Sequence, residues 1–141
     1  MESKALVIDI GVKKYRLNDE VEICFNPTDP AFAERLYSTF EALDKKQEKY
    51  KADAASVADK REIFAVARKL DSEMRAMIDE ALGVEVCAPL FGGLNVWALA
   101  GGLPVWANLL LAIMDEMEVG FETEAKLTSP RIRKYSEKYK K

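Results

Sequence analysis

Between residues 86 and 114 the chain carries no charged side chain, so this stretch has to end up in an interior, at an interface or in a membrane. A membrane span needs roughly 20 uninterrupted helical residues, whereas Gly92, Gly93, Gly101, Gly102 and Pro104 divide the run into shorter pieces. The expectation is a short helix over about 94–100, a Gly-Gly break, and a long helix over about 103–118 opened by Pro104. That second helix passes through Leu109, Leu110, Ile113 and Met117 and is apolar on nearly every face. Such a helix is either a central core helix or one that also meets another chain.

The segments before it supply something for the run to pack against. Leu6, Ile8, Ile10 and Val12 alternate with small or charged residues, as do Tyr15 and Leu17 and then Val21, Ile23 and Phe25. Period two over short runs predicts strands with one buried face, over about 5–25. Gly11 and Asn18-Asp19-Glu20 supply turn chemistry, giving an antiparallel hairpin or three-strand meander. Thr28 or Asp29 followed by Pro30 marks a helix start. Phe32, Leu36, Phe40 and Leu43 then recur at helical spacing, with Ala33 and Tyr37 alongside, and predict a helix over about 30–52 whose polar end, 44–51, is solvated. Ser56 and Asp59 are candidate caps for a helix over about 58–82, where Ile63 to Leu82 form a stripe ended by Gly83. The fold class is therefore α+β: a small N-terminal antiparallel hairpin or meander packed on a mainly α-helical bundle of three long helices and one short one.

Charge divides the chain once more. Residues 1–120 hold 14 basic and 21 acidic side chains, and residues 121–141 hold seven and three. A single domain over 1–120 with a basic C-terminal tail over 121–141 follows. At 141 residues and 49% apolar composition, one domain can bury about two-thirds of its unfolded surface. The net charge of −3 lacks the footprint of a nucleic-acid binder. The N-terminus lacks the apolar segment and cleavage site of a signal peptide, so a cytosolic protein is expected.

Chemistry is scarce. With no histidine, the usual general base, the commonest metal ligand and every Ser-His or Cys-His pair are missing. Cys24 and Cys87 sit in apolar contexts without metal or CxxC spacing and read as two buried thiols. Asp79-Glu80 and Asp115-Glu116 with Glu118 read as solvated charge at helix ends. The glycines form neither a GxGxxG turn nor a Walker loop. No catalytic residue, cofactor or metal ligand is assigned, and an enzyme is not expected.

The order of features resembles a known family. A hairpin, then Asn26-Pro27-Thr28-Asp29-Pro30 opening the helix of Phe32-Ala33-Glu34-Arg35-Leu36, a charged middle and a second helix precede Leu90-Phe91-Gly92-Gly93-Leu94-Asn95. An apolar helix from Leu109 to Met117 and a basic tail with Tyr135 and Tyr139 complete it. Over nearly its whole length the chain resembles the small tail assembly chaperones of tailed bacteriophages and prophages of Gram-positive hosts. Departing from that pattern, the Gly-Gly-Leu-Pro-Val-Trp insert is unusually apolar. The resemblance implies a non-catalytic protein of the bacterial host cytoplasm, outside the mature virion, that holds the tape measure protein soluble during tail morphogenesis. It also implies a longer frameshifted product that recruits tail tube subunits.

A chaperone for an apolar helical client needs an apolar, adaptable surface that self-association covers when the client is absent. Leu90, Phe91, Leu94, Trp97, Trp106, Leu109, Leu110 and Ile113 are the candidate protein-interaction residues. Trp97 and Trp106 are either core or interface anchors. Two other functions fit the same features: a generic self-associating interaction module, and a membrane-active phage protein with residues 86–114 as a broken hairpin in the bilayer.

Overall fold

The computed structural model describes residues 2–127 together with Lys134, Glu137 and Lys138. In chain order the elements are β1 (Lys13–Leu17), β2 (Val21–Phe25), α1 (Pro30–Ala55), α2 (Lys60–Leu82), α3 (Cys87–Phe91), β3 (Leu99–Ala100), β4 (Leu103–Pro104) and α4 (Val105–Lys126). Over residues 13–126 the architecture is α+β, an antiparallel N-terminal hairpin followed by three long helices and one short one.

β1 and β2 pair in the register Lys13↔Phe25 to Leu17↔Val21. Their turn needs two left-handed residues, and Asn18 (φ 51°) and Asp19 (φ 57°) take that conformation, which short polar side chains tolerate best after glycine. The Glu20 N–H donates to the Leu17 carbonyl at 2.9 Å to close it. Alternation places Ile23 and Phe25 inward and leaves Cys24 exposed, so only Cys87 of the two thiols is buried. Residues 5–12 alternate as regularly but belong to no strand, and the sheet is a two-stranded hairpin. Alternation defines a face; it does not supply a partner strand.

The Asp29 side chain caps α1 by accepting from the Ala31 N–H, with Pro30 in the first turn where no N–H is needed. Asp59 caps α2 in the same way through Arg61, and Gly83 closes it. A four-residue connection, 56–59, makes the two helices antiparallel neighbours, and α4 lies against α1. The polar end of α1, 44–51, is mostly exposed as expected, but one side of it packs inward. Gln47 is buried and accepts from the Trp106 indole N–H. One turn on, the Tyr50 hydroxyl donates to Glu73 at 3.0 Å, and Lys46 meets the same carboxylate at 2.9 Å.

The core joins all layers. Tyr15, Phe25 and Phe32 stack from β1 through β2 into α1, with ring centroids 4.4 and 4.6 Å apart. Behind them lie Leu36, Leu43, Leu70, Met74, Ile78, Val96, Trp106 and Leu110, all fully buried. Gly120 of α4 is fixed by close approach, because a Cβ there would stand 2.5 Å from the Pro27 ring. No helix forms over 94–100. The short helix is α3, and residues 99–104 make a two-residue-by-two-residue hairpin turning at Gly101 and Gly102. α4 continues past the expected end at 118 to Lys126, so the first residues assigned to the basic tail are helical. Tyr135 and Tyr139 lie outside the described residues.

Candidate protein-interaction surface

The eight candidate residues separate into two groups. Trp106, Leu109, Leu110 and Ile113 are buried along α4, and of these only Leu109 reaches the recess lined by Leu90, Phe91 and Leu94. Leu90, Phe91 and Trp97 are half-buried and Leu94 is exposed. Leu90, Phe91 and Leu94 line a shallow recess with Leu17, Val105 and Asn108. The reason for the split is helical geometry: Trp106, Leu109, Leu110 and Ile113 follow i, i+3, i+4, i+7 spacing and share the core-facing side of α4.

The connection from α2 to β3 is positioned by polar side chains four residues apart on α2. The Asp79 carboxylate accepts from the Val86 and Cys87 N–H groups at 2.9 and 3.0 Å, holding the start of α3. Asp71 accepts from the Val96 N–H at 2.7 Å and pairs with Arg75 at 3.0 Å. Arg75 in turn donates to the Gly92 and Leu94 carbonyls at 2.8 and 2.7 Å. Asn95 donates to the Ala67 carbonyl at 3.1 Å, while its own side-chain oxygen accepts from the Trp97 N–H. A charge-free loop cannot satisfy its buried backbone groups with its own side chains, and the adjacent helix does so instead. Asp79 is thus a structural acceptor, contrary to its reading as solvated charge.

A second surface escaped the sequence reading. Between α1 and α4 lies a groove of about 570 Å³, with Ala33, Tyr37, Leu111, Met114, Met117 and Phe121 in its lining. Tyr37 and Phe121 are 55% and 65% exposed. Asp29, Asp115 and Glu118 stand on its rim. The signal was present in the spacing: Met114, Met117 and Phe121 form a second apolar stripe on α4, and Ala33 and Tyr37 a second stripe on α1. Only the packed core shows which stripe is left over. Methionine suits such a surface, since its unbranched thioether adapts to irregular partners.

The groove holds no chemistry beyond shape and charge. Among the described residues no three His, Cys, Asp or Glu side chains converge as a metal set, and no helix is long and apolar enough to cross a membrane. The Cys87 thiol is pushed up to about 12 by burial first and by the Asp79 carboxylate second, which keeps it protonated and unreactive at neutral pH. Compared with protein-family models, curated proteins and solved structures, the chain matches none.

Proposed function

We propose that this chain is a non-catalytic tail assembly chaperone of a tailed bacteriophage or prophage, which binds the tape measure protein in the host cytoplasm and keeps it soluble until the tail tube replaces it. The observation that carries the reading is the methionine-bearing groove between α1 and α4. An open apolar trough with Tyr37 and Phe121 at its lips suits the apolar face of an amphipathic helix, recognised through anchors at i, i+3, i+4 and i+7. The acidic rim at Asp29, Asp115 and Glu118 favours a helix whose flanks are lysine or arginine. Long coiled-coil proteins present many such helices, so several copies of this small chain would bind along one client. Recruitment of tail tube subunits, by the same resemblance, would fall to a longer frameshifted product.

Co-expression with the long coiled-coil protein encoded beside this gene, followed by size-exclusion chromatography with light scattering, tests the reading. The client stays soluble only when this chain is present, and the two elute together with several copies per client. Replacing the exposed pair Tyr37→Ser and Phe121→Ser removes that effect while far-ultraviolet circular dichroism is unchanged. If the two proteins elute apart, with this chain as a fixed small oligomer, the chaperone reading fails and the chain is a self-associating interaction module.

A further inference from the structure

Residues 2–12 form an arm that, among the described residues, belongs to no helix or strand. Leu6, Ile8 and Ile10 are each exposed by two-thirds or more, and Val7 is fully exposed. A cluster of large apolar side chains this open marks a contact surface. The base of the arm is nevertheless anchored. The Asn26 side chain donates to the Ile10 carbonyl at 2.8 Å, and Asp9 accepts from the Gly11 N–H at 2.9 Å. Gly11 itself sits at φ +69°, where a Cβ would come within 2.7 Å of Asn26. The chain therefore turns at a position built for glycine, and Leu6, Val7 and Ile8 beyond it stand open to solvent.

The same chain carries the complement of that arm. A two-stranded sheet leaves each strand with one unpaired edge, and an unpaired edge is a template for an added strand. Where β2 runs into α1 a groove of about 600 Å³ opens, lined by Phe25, Pro30, Phe32 and Leu82 and by the Ile10 and Val12 of the same chain. We propose that the arm of one copy adds as a third strand to the outer edge of β2 in a second copy, and that the exchange is reciprocal, giving a two-fold symmetric dimer.

Pattern and size both favour a second copy as the occupant. On β2, Ile23 and Phe25 are buried and Cys24 between them is exposed. A paired arm continues that alternation when Leu6, Ile8 and Ile10 lie on the face of the Tyr15–Phe25–Phe32 stack and Val7 and Asp9 on the face of Cys24. The eleven residues of the arm and the nine groove residues outside it amount to about 20 per copy, the size of a standard specific interface. Exchange of an identical element makes isologous contacts, so each arm added to a partner is matched by one received. The proposal rests on the arm and on β2 alone, and stands whether or not the α1–α4 groove binds a client.

The full chain at micromolar concentration, without any client, is the sample for two measurements. Light scattering gives a mass of two chains, and the variant Leu6→Ser, Ile8→Ser, Ile10→Ser halves it to one chain with unchanged circular dichroism, since all three side chains are exposed in the protomer. The variant Val7→Cys, treated with a short bismaleimide, gives a covalent dimer through Cys24 of the other copy; adding Cys24→Ser removes that product, and buried Cys87 does not substitute for it. A full chain that is a monomer, a mass unaffected by the triple substitution, or a cross-link confined to one chain overturns the proposal. Failure of client binding with the dimer intact overturns the chaperone reading and leaves this one standing.

Discussion

Cys24 and Cys87 bring the same group into opposite surroundings, and the difference is measurable. Cys24 is exposed on β2, whereas Cys87 is fully buried where α3 meets α2, its thiol pushed up to about 12. Iodoacetamide at pH 8 should add one label to the native protein, at Cys24, and two in denaturant, read by intact mass and peptide mapping. Two native labels would mean that α3 opens readily. Linkage sets the sign of the accompanying pH dependence. The folded thiol ionises at higher pH than the unfolded one, so its contribution is complete below the ordinary thiol range and is lost as the pH rises toward about 12. Glu73 acts at the other end of the scale: hydrogen bonds from Lys46 and Tyr50 hold its carboxyl below the usual range. Its contribution is present at neutral pH and is lost as acid protonates it. Gln47 shows how a single residue can be illegible in sequence. It lies in the most polar stretch of the chain, yet it is buried because Trp106, 59 positions later, needs an acceptor for its indole N–H.

The elements that were legible in the sequence are those whose signals are local. Helices α1 and α2 start where Asp29-Pro30 and Asp59 say they should, because a cap is satisfied within two or three residues. The β1–β2 turn is equally local, being written in Asn18 and Asp19. The 94–100 region misled because its conformation is imposed from outside. Asp71, Arg75 and Asp79 bond the backbone of residues 86, 87, 92, 94 and 96 from 7 to 25 positions away, and no window around Trp97 contains them. Part of the candidate surface was hidden for a related reason: periodicity finds the apolar stripes of α4 but not which one α1 covers. The α2 stripe yields a direct test. Asp79→Ala strands the N–H groups of two fully buried residues, Val86 and Cys87, and should cost about 1–3 kcal/mol. Glu80→Ala next to it, on the exposed face, should change stability by about 0.5 kcal/mol or less. Urea unfolding checks both, with the midpoint moving and the slope constant for Asp79→Ala. Equal effects of the two would mean that the loop backbone finds water in place of Asp79.

For the whole molecule, the decisive property is the separation of an acidic body from a basic end. Residues 1–120 carry an excess of seven negative charges, and three of those carboxylates, Asp29, Asp115 and Glu118, rim the apolar groove. On the chaperone reading proposed above, a client helix with basic flanks is drawn by two forces of different range. The charge attraction acts over the screening length, about 10 Å at 0.1 M salt and about 3 Å at 1 M, while apolar burial in the trough survives high salt. Association with the client should therefore weaken as salt rises from 0.1 to 1 M without disappearing. Asp115→Lys with Glu118→Lys should lower affinity by about tenfold at 0.1 M, equivalent to about 1.4 kcal/mol, and have little effect at 1 M. Tyr37→Ser should weaken binding equally at both salts, because it removes a contact and leaves the field unchanged. Calorimetric titration of a client peptide across the salt series separates the two. If the charge-reversed protein bound as tightly as the original at low salt, the acidic rim would be plain solvated surface, and the client would have to be recognised by its apolar face alone.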